Sequence, residues 1–133
     1  MIITKEEALK ISRDIFNKWN NLLKTNDPRK VSELYTENNM FLPTLSGEFE
    51  FGREGDIEYF NYFLQKKPVG RIVEDDVRVG ERFIVHAGMY TFEVDSADGG
   101  REDVEARFTF VYTQNELGEW RIVHHHSSLK PNV

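Results

Sequence analysis

The segment 118–128, GEWRIVHHHSS, restricts the fold of this chain more than any other part of it. It predicts a turn at Gly118 followed by a strand whose aromatic, β-branched and imidazole residues occupy both faces. A strand without a solvated face must be covered on both sides. In a chain of 133 residues, one cover is the chain's own helices, and the other is predicted to be a second copy of the chain.

The composition indicates one globular domain spanning residues 1–133. Apolar residues make up 39% of the chain and aromatic residues 13%, enough for a core of large side chains. The net charge of −6 and the scattered basic residues argue against nucleic acid and anionic membranes as partners. With no cysteine, thiolate catalysis and cysteine-based zinc sites are excluded, and no cofactor is expected. The polar N-terminus favours a cytoplasmic protein.

Helical patterns precede strand patterns along the chain. A capping box at Thr4–Glu7 starts a helix predicted to run to about Lys24, a second helix is predicted from Pro28 to Tyr35, and a third covers 54–66. Short extended pieces are predicted at 40–43 and 48–51, and long strands at 69–79, 82–95, 101–113 and 119–128. This order predicts an α+β domain in which helices pack on a strongly curved antiparallel sheet and enclose a cone-shaped cavity.

Residue alternation assigns the faces of the last two strands. The Phe108, Phe110 and Tyr112 face of the third long strand is apolar, so one face of that strand is core and the other is surface or interface. His124 and His126 share one face of the last strand, and His125 lies on the other. The acidic run 74–76 is predicted to be solvated.

Several of these segments resemble a known family. They are the Phe41-Leu42-Pro43 piece, Gly52 ahead of Tyr59-Phe60, the run ARFTFVY at 106–112 and the closing G-x-W-x-x-V-H-x-H-x-S pattern. Together they resemble the association (hub) domain of calcium/calmodulin-dependent protein kinase II, and stand-alone microbial proteins of that group are more similar still. This group has the NTF2-like fold, which ketosteroid isomerase and scytalone dehydratase share. The resemblance implies a homo-oligomer of dimers that form through the outer sheet faces and often stack into closed rings, here with no attached kinase.

The resemblance also implies an internal pocket for a small organic molecule. In the animal kinases, arginines in this cavity hold a carboxylate. The matching positions here are Met89, Phe110 and Ser127, so a carboxylate ligand is not expected. The residues predicted to line the pocket are Tyr35, Met89, Arg107, Phe110, Tyr112, His125 and Ser127.

The histidine cluster has a structural and a functional interpretation. A metal site needs a third ligand, and no second motif supplies one apart from the isolated His86, so no metal site is predicted. Imidazoles in a cavity wall and an interface are the structural alternative. The predicted interface residues are Arg107, Trp120, His124 and His126.

Two classes of function follow from the sequence. The leading hypothesis is a homo-oligomerising, hub-like scaffold with an internal small-molecule pocket. The alternative is a small cavity enzyme (isomerase, dehydratase or hydrolase) in which His125 is a general base partnered by Tyr35, Asp56 or Asp76. A ligand-binding accessory protein without turnover is a third hypothesis. Against catalysis stands the interpretation of His125 as a buried polar residue satisfied by hydrogen bonds.

Overall fold

Three helices cover one face of a six-stranded sheet in the computed structural model, which describes residues 2–133. The helices are α1 (Lys5–Leu23), α2 (Pro28–Ser32) and α3 (Gly52–Phe63), the last followed by a 3₁₀ turn at Leu64–Lys66. The strands are β1 (Tyr35–Leu42), β2 (Glu50–Phe51), β3 (Val69–Val79), β4 (Phe83–Asp95), β5 (Arg101–Gln114) and β6 (Trp120–Leu129). The predicted α+β class is confirmed. None of the helices in the described part of the chain is long and apolar enough to cross a membrane.

The helix starts follow local side-chain chemistry. Thr4 Oγ1 accepts a hydrogen bond from the Glu7 backbone N–H at 3.1 Å, and the Glu7 carboxylate accepts one from the Thr4 N–H, so the capping box is confirmed. Asp27 caps α2 by accepting from the Arg29 N–H at 3.0 Å. The prediction that α2 continues to Tyr35 is wrong. Tyr35 instead opens β1 and is buried, because pairing with β6 places its ring in the core.

The sheet has the strand order β2-β1-β6-β5-β4-β3 and is open at both edges. Every neighbouring pair is antiparallel except β1 and β6, which are parallel. The prediction of a wholly antiparallel sheet is therefore wrong for this pair. More than half of the chain, residues 43–119, separates β1 from β6, so no hairpin turn sets their relative direction.

Alternation along the central strands separates a buried face from an outer face, as predicted. Phe108, Phe110 and Tyr112 of β5 are buried against the helices. Phe110 lies opposite His125 of β6, which lies opposite Phe41 of β1. The three rings stack, with centroids 4.0 Å apart for Phe110–His125 and 4.9 Å for His125–Phe41. The core is therefore built around an imidazole.

A bulge in β3 brings its backbone close to β4. The register shifts between Ile72 and Glu74, and Asp75 then lies opposite Gly88. A Cβ built on Gly88 would lie 2.0 Å from the Glu74 carbonyl oxygen. Only glycine fits this approach, and the bulge turns the Asp75 side chain towards the helices, where it is 4% exposed.

We predict that Gly88→Ala lowers the free energy of unfolding by roughly 2–3 kcal/mol, because the added methyl group meets rigid backbone rather than a flexible side chain. Urea unfolding followed by the fluorescence of the buried Trp19 measures the change. Gly47→Ala is the matched control, since no atom lies within 4 Å of its added Cβ. Equal effects of the two substitutions would contradict the close approach.

Candidate functional site

The centre of the candidate site is His125, which is buried and hydrogen-bonded through both ring nitrogens. Its Nδ1 lies 2.9 Å from the Tyr35 hydroxyl, and its Nε2 lies 3.1 Å from the Tyr90 hydroxyl. Tyr35 reaches the ring from β1 and Tyr90 from β4, so three strands fix the imidazole. The edge of Trp19 from α1 closes the helix side at a centroid distance of 5.8 Å.

The hydrogen bonds of this network all donate in one direction, from Trp19 through Tyr35 and His125 to Tyr90. The Trp19 indole N–H can only donate, and it donates to the Tyr35 hydroxyl at 3.1 Å. Among residues 2–133, His125 Nδ1 is the acceptor available to the Tyr35 proton, so Nδ1 carries no hydrogen. His125 Nε2–H then donates to Tyr90. The imidazole is therefore neutral and protonated on Nε2.

The network continues from Tyr90 towards the surface. The Tyr90 hydroxyl donates to Ser127 Oγ, which hydrogen-bonds with the Thr44 hydroxyl. Tyr59 of α3 fixes Thr44 by donating to its backbone carbonyl at 2.7 Å. Ser127 and Thr44 also line an open cleft of about 440 Å³ between residues 42–48 and the end of β6. A chain of hydroxyl groups thus joins His125 to this cleft.

Burial sets the charge state of the His125 network. It lowers the pKa of His125 well below its usual value, and the neighbouring His124 and His126 lower it further. Burial also raises the pKa of Tyr90 well above its usual value, although its hydrogen bond to Ser127 opposes this. Imidazole and phenol are therefore both uncharged at neutral pH. To act as a general base, His125 would have to give up a tyrosine and accept a proton in an apolar core, so the geometry favours the structural interpretation.

The predicted internal pocket has little free volume. Aromatic rings fill the space between the helices and the inner sheet face, and about 10 Å³ is left beside His125. That is room for about one water molecule. The rings lining this space are those of Trp19, Phe41, Tyr59, Phe60, Phe63, Tyr90, Phe92 and His125. A small organic molecule therefore has no ready-made cavity in this interior.

The structure brings together most of the residues predicted to line the pocket. Tyr35, Phe110, Tyr112, His125 and Ser127 are all buried on the inner face. Met89 and Arg107 are not with them. They lie opposite each other on the outer face, because each alternates with inward-facing aromatic residues of β4 and β5.

The two carboxylates considered as partners of His125 lie elsewhere. Asp76 is half exposed on β3 and pairs with Lys5 at 3.0 Å and Arg78 at 2.8 Å. Asp56 is buried on α3, where Asn39 donates to it at 2.7 Å and Ser32 at 3.2 Å. No hydrogen bond joins either carboxylate to His125 within residues 2–133, so neither forms the proposed acid–base pair.

Sequence reasoning missed a second buried histidine. His86 of β4 receives the Tyr112 hydroxyl proton at Nδ1 (2.8 Å) and donates from Nε2 to Asp75 at 2.8 Å. Asp75 also forms a two-point ion pair with Arg13 of α1, with distances of 2.7 and 3.1 Å. These bonds lower the pKa of Asp75, Arg13 contributing most, while burial lowers that of His86. The prediction that the whole acidic run 74–76 is solvated is wrong for Asp75, because the β3 bulge turns it inward.

The predicted interface residues lie on two different faces. His124, His126 and Arg107 are on the outer face of the sheet. Trp120 is partly buried on the helix side, in a hollow that it shares with Ile11 and Ile15 of α1. Trp120 therefore contributes to packing within the subunit, whereas the three other residues are free of the helices.

We predict that His125→Ala lowers the free energy of unfolding by about 3–5 kcal/mol, since it leaves a cavity between stacked rings and removes one hydrogen-bond partner from each of two buried tyrosine hydroxyls. Urea unfolding at a fixed protein concentration measures the loss. The neighbouring His126→Ala is the matched control and is expected to cost less than about 1 kcal/mol, because His126 is exposed. Similar losses for both variants would contradict the structural role of His125.

We predict that Asp56→Asn is more stable than the wild type at pH 8, by roughly 1–3 kcal/mol. Burial raises the pKa of Asp56 from 3.8 to about 7. The stability linked to this group is therefore fully present below about pH 4 and is lost as the pH rises through about 7. Thermal unfolding between pH 4 and pH 8 checks this. The variant should lose less stability over that range than the wild type, and an identical profile would show that Asp56 is already ionised at low pH.

Comparison with known proteins identifies the family. The family model described as the calcium/calmodulin dependent protein kinase II association domain matches residues 8–131. A Xanthomonas campestris protein provisionally assigned to that domain is 42% identical, with a TM-score of 0.87 over 92% of this chain and 87% of its own. An NTF2-like superfamily protein from Salmonella enterica is 17% identical, with a TM-score of 0.82 over 98% and 96%.

An NTF2-like protein from Streptomyces avermitilis, provisionally assigned as a dehydratase, is 11% identical, with a TM-score of 0.81 over 96% and 99%. The two more distant structures confirm the NTF2-like cone and establish the fold alone. No curated protein sequence matches the chain significantly. The family match and the Xanthomonas relative show that this chain belongs to the calcium/calmodulin-dependent protein kinase II association-domain family, within the NTF2-like fold.

Proposed function

We propose that this protein is a self-associating, hub-like scaffold, and that copies of the chain join through the outer face of the sheet. The observation that carries the proposal is a row of side chains that crosses five strands on that face. In register, this outer row consists of Phe51, Met40, His124, Val111 and Val85. His124 is the one titratable side chain of the row, and burial lowers its pKa, which favours the neutral imidazole.

The outer row is exposed where a solvated sheet would carry polar groups. Phe51 is 61% exposed and Met40 is 42% exposed, while His124, Val111 and Val85 are half-buried. Helices cover the opposite face, so nothing else in residues 2–133 covers this one. Antiparallel sheets with one free face normally alternate apolar and polar residues, with the polar ones outward. An apolar row on the free face is therefore best explained by a covering partner.

A second copy of the chain is the partner that fits this face. The family to which the chain belongs is named for association. Arg107 is exposed on the same face, four residues along β5 from Val111, and bonds only Ser128, at 3.2 Å, among the described residues. Its guanidinium group is available to a carboxylate of another subunit, and a chain with a net charge of −6 offers many. We propose at least a dimer, with rings of dimers as the larger assembly.

For a small ligand, the open cleft is a better site than the filled interior. It offers about 440 Å³, within the range of small-molecule sites, and Thr44 and Ser127 are among the residues that line it. We therefore propose this cleft, and not the interior, as the binding site for a small molecule. The Streptomyces structure that is provisionally assigned as a dehydratase supports the fold only. His125 is neutral and hydrogen-bonded at both ring nitrogens, which argues against catalytic turnover.

We predict that Val85→Arg weakens self-association at least about tenfold, because it places a charge at the β4 end of the apolar outer row. Sedimentation velocity or native mass spectrometry over a dilution series measures the effect. Val85 is only half-buried within the subunit, so the variant is expected to fold, and circular dichroism checks this.

Leu117→Arg is the matched control for this test. It adds the same charge at an apolar residue that is 83% exposed, in the turn between β5 and β6 and away from the outer row. Assembly is expected to be unchanged. A wild-type protein that stays monomeric, or an assembly lost with Leu117→Arg and kept with Val85→Arg, would contradict the proposal.

A further inference from the structure

We propose that self-association is linked to pH through His124 and His126, so that acidification dissociates the subunits. This inference rests on the proposed outer-face association and adds its regulation. Two imidazoles on one strand lie near the middle of the six-stranded sheet, on the face that another copy would cover. A two-fold contact would therefore bury four of them.

The two side chains have uncharged neighbours. His124 lies directly between Met40 of β1 and Val111 of β5, and its Nδ1 is buried without a hydrogen-bond partner among residues 2–133. Burial lowers its pKa and the charge of His126 adds to this, while the backbone of Met40 opposes it. His124 is thus poorly solvated even in one subunit, and covering it would remove more water.

His126 is more exposed but has similar neighbours. It lies directly between Leu42 of β1 and Thr109 of β5. Its own ring makes no side-chain hydrogen bond within the described residues. The pair therefore consists of one half-buried and one exposed imidazole, both aimed away from the helices.

Few charged groups from the adjoining elements lie close enough to His124 and His126 to favour or oppose their protonation. Arg107 of β5 lies one row further along the outer face, and its positive charge disfavours an imidazolium. Glu48, in the loop between β1 and β2, lines the same cleft as His126. Asp76 of β3 shares the His126 row but lies three strand spacings away, about 14 Å, and is neutralised by Lys5 and Arg78. Glu37 of β1 is exposed near the start of its strand.

Proton linkage follows from this placement. Covering an imidazole with apolar surface disfavours its charged form, so its pKa is lower in the assembly than in the free subunit. Between the pKa in the assembly and the higher pKa in the free subunit, dissociation takes up protons and acid drives the subunits apart. Above the free-subunit pKa, both forms are neutral and association does not depend on pH. The direction of the effect is therefore fixed.

The two other histidines, and the one carboxyl group whose pKa is raised to about 7, lie on the helix side of the sheet. His86 and His125 are buried within the subunit, and Asp56 is buried under α3. Association at the outer face leaves their surroundings unchanged. Their titration alters the stability of the subunit and contributes nothing to the pH dependence of assembly.

The test is the apparent dissociation constant at pH 7.5 and at pH 5.5, measured by sedimentation on the full chain. The wild type is expected to dissociate at least about tenfold more readily at pH 5.5, since each linked proton contributes up to tenfold per pH unit. The double variant His124→Gln/His126→Gln keeps polar side chains of similar size and does not titrate. Its dissociation constant is expected to change less than about threefold. The single variant His126→Gln, at the exposed site, serves if the double variant is unstable.

The outcomes separate this inference from the proposed function. A wild type that assembles equally at both pH values overturns the inference and leaves the scaffold intact. The same pH dependence in the wild type and the double variant also overturns it, because other groups would then be responsible. A wild type that is monomeric at pH 7.5 overturns the scaffold proposal itself.

Discussion

The structure depends on keeping one imidazole uncharged inside an aromatic core. A buried imidazole is costly unless both nitrogens find partners, one as donor and one as acceptor. Tyr35 and Tyr90 supply them from strands on either side, and Trp19 fixes the direction by donating to Tyr35. The stack of Phe110, His125 and Phe41 then holds three strands in register. Residues that would mark an acid–base site in an open cavity are here the parts of a closed network.

A second buried histidine in the sheet is hydrogen-bonded at both ring nitrogens in the same way. His86 has a tyrosine on Nδ1 and, on Nε2, Asp75 in place of a phenol. The added carboxylate is balanced by Arg13, so the group as a whole is neutral while it ties α1 to the sheet. Gly88 allows the bulge that aims Asp75 inward. Two histidines therefore serve the subunit from within, and the two others lie on the opposite face, where an assembly would use them.

Alternation along single strands made the faces of the sheet predictable from sequence. It separated His125 from His124 and His126, and it identified the apolar face of β5. What it missed depends on pairings between distant segments. The direction of β1 beside β6, the inward turn of Asp75 and the position of Tyr35 all follow from tertiary register, which a local pattern does not contain.

The local sequence pattern also could not predict that side chains fill the interior. The chain has ten phenylalanines, which predicts large core side chains but not whether they leave a space between them. Met89 and Arg107 were placed in the pocket by resemblance, and strand alternation puts them on the outer face instead. The cavity expected from the resemblance thus differs from the filled core of this structure. The free volume, and the face on which each side chain lies, depend on how the whole sheet is assembled.

The most direct test of this account is a two-dimensional proton–nitrogen NMR spectrum of the four histidine side chains, recorded from pH 8 to pH 5.5. We expect the His125 Nδ1 signal to stay at the position of an unprotonated acceptor and Nε2 to stay protonated, and neither signal to move with pH. A His125 signal that titrates near pH 6–7, or that shows the proton on Nδ1, would contradict the claim that this imidazole is a neutral core residue.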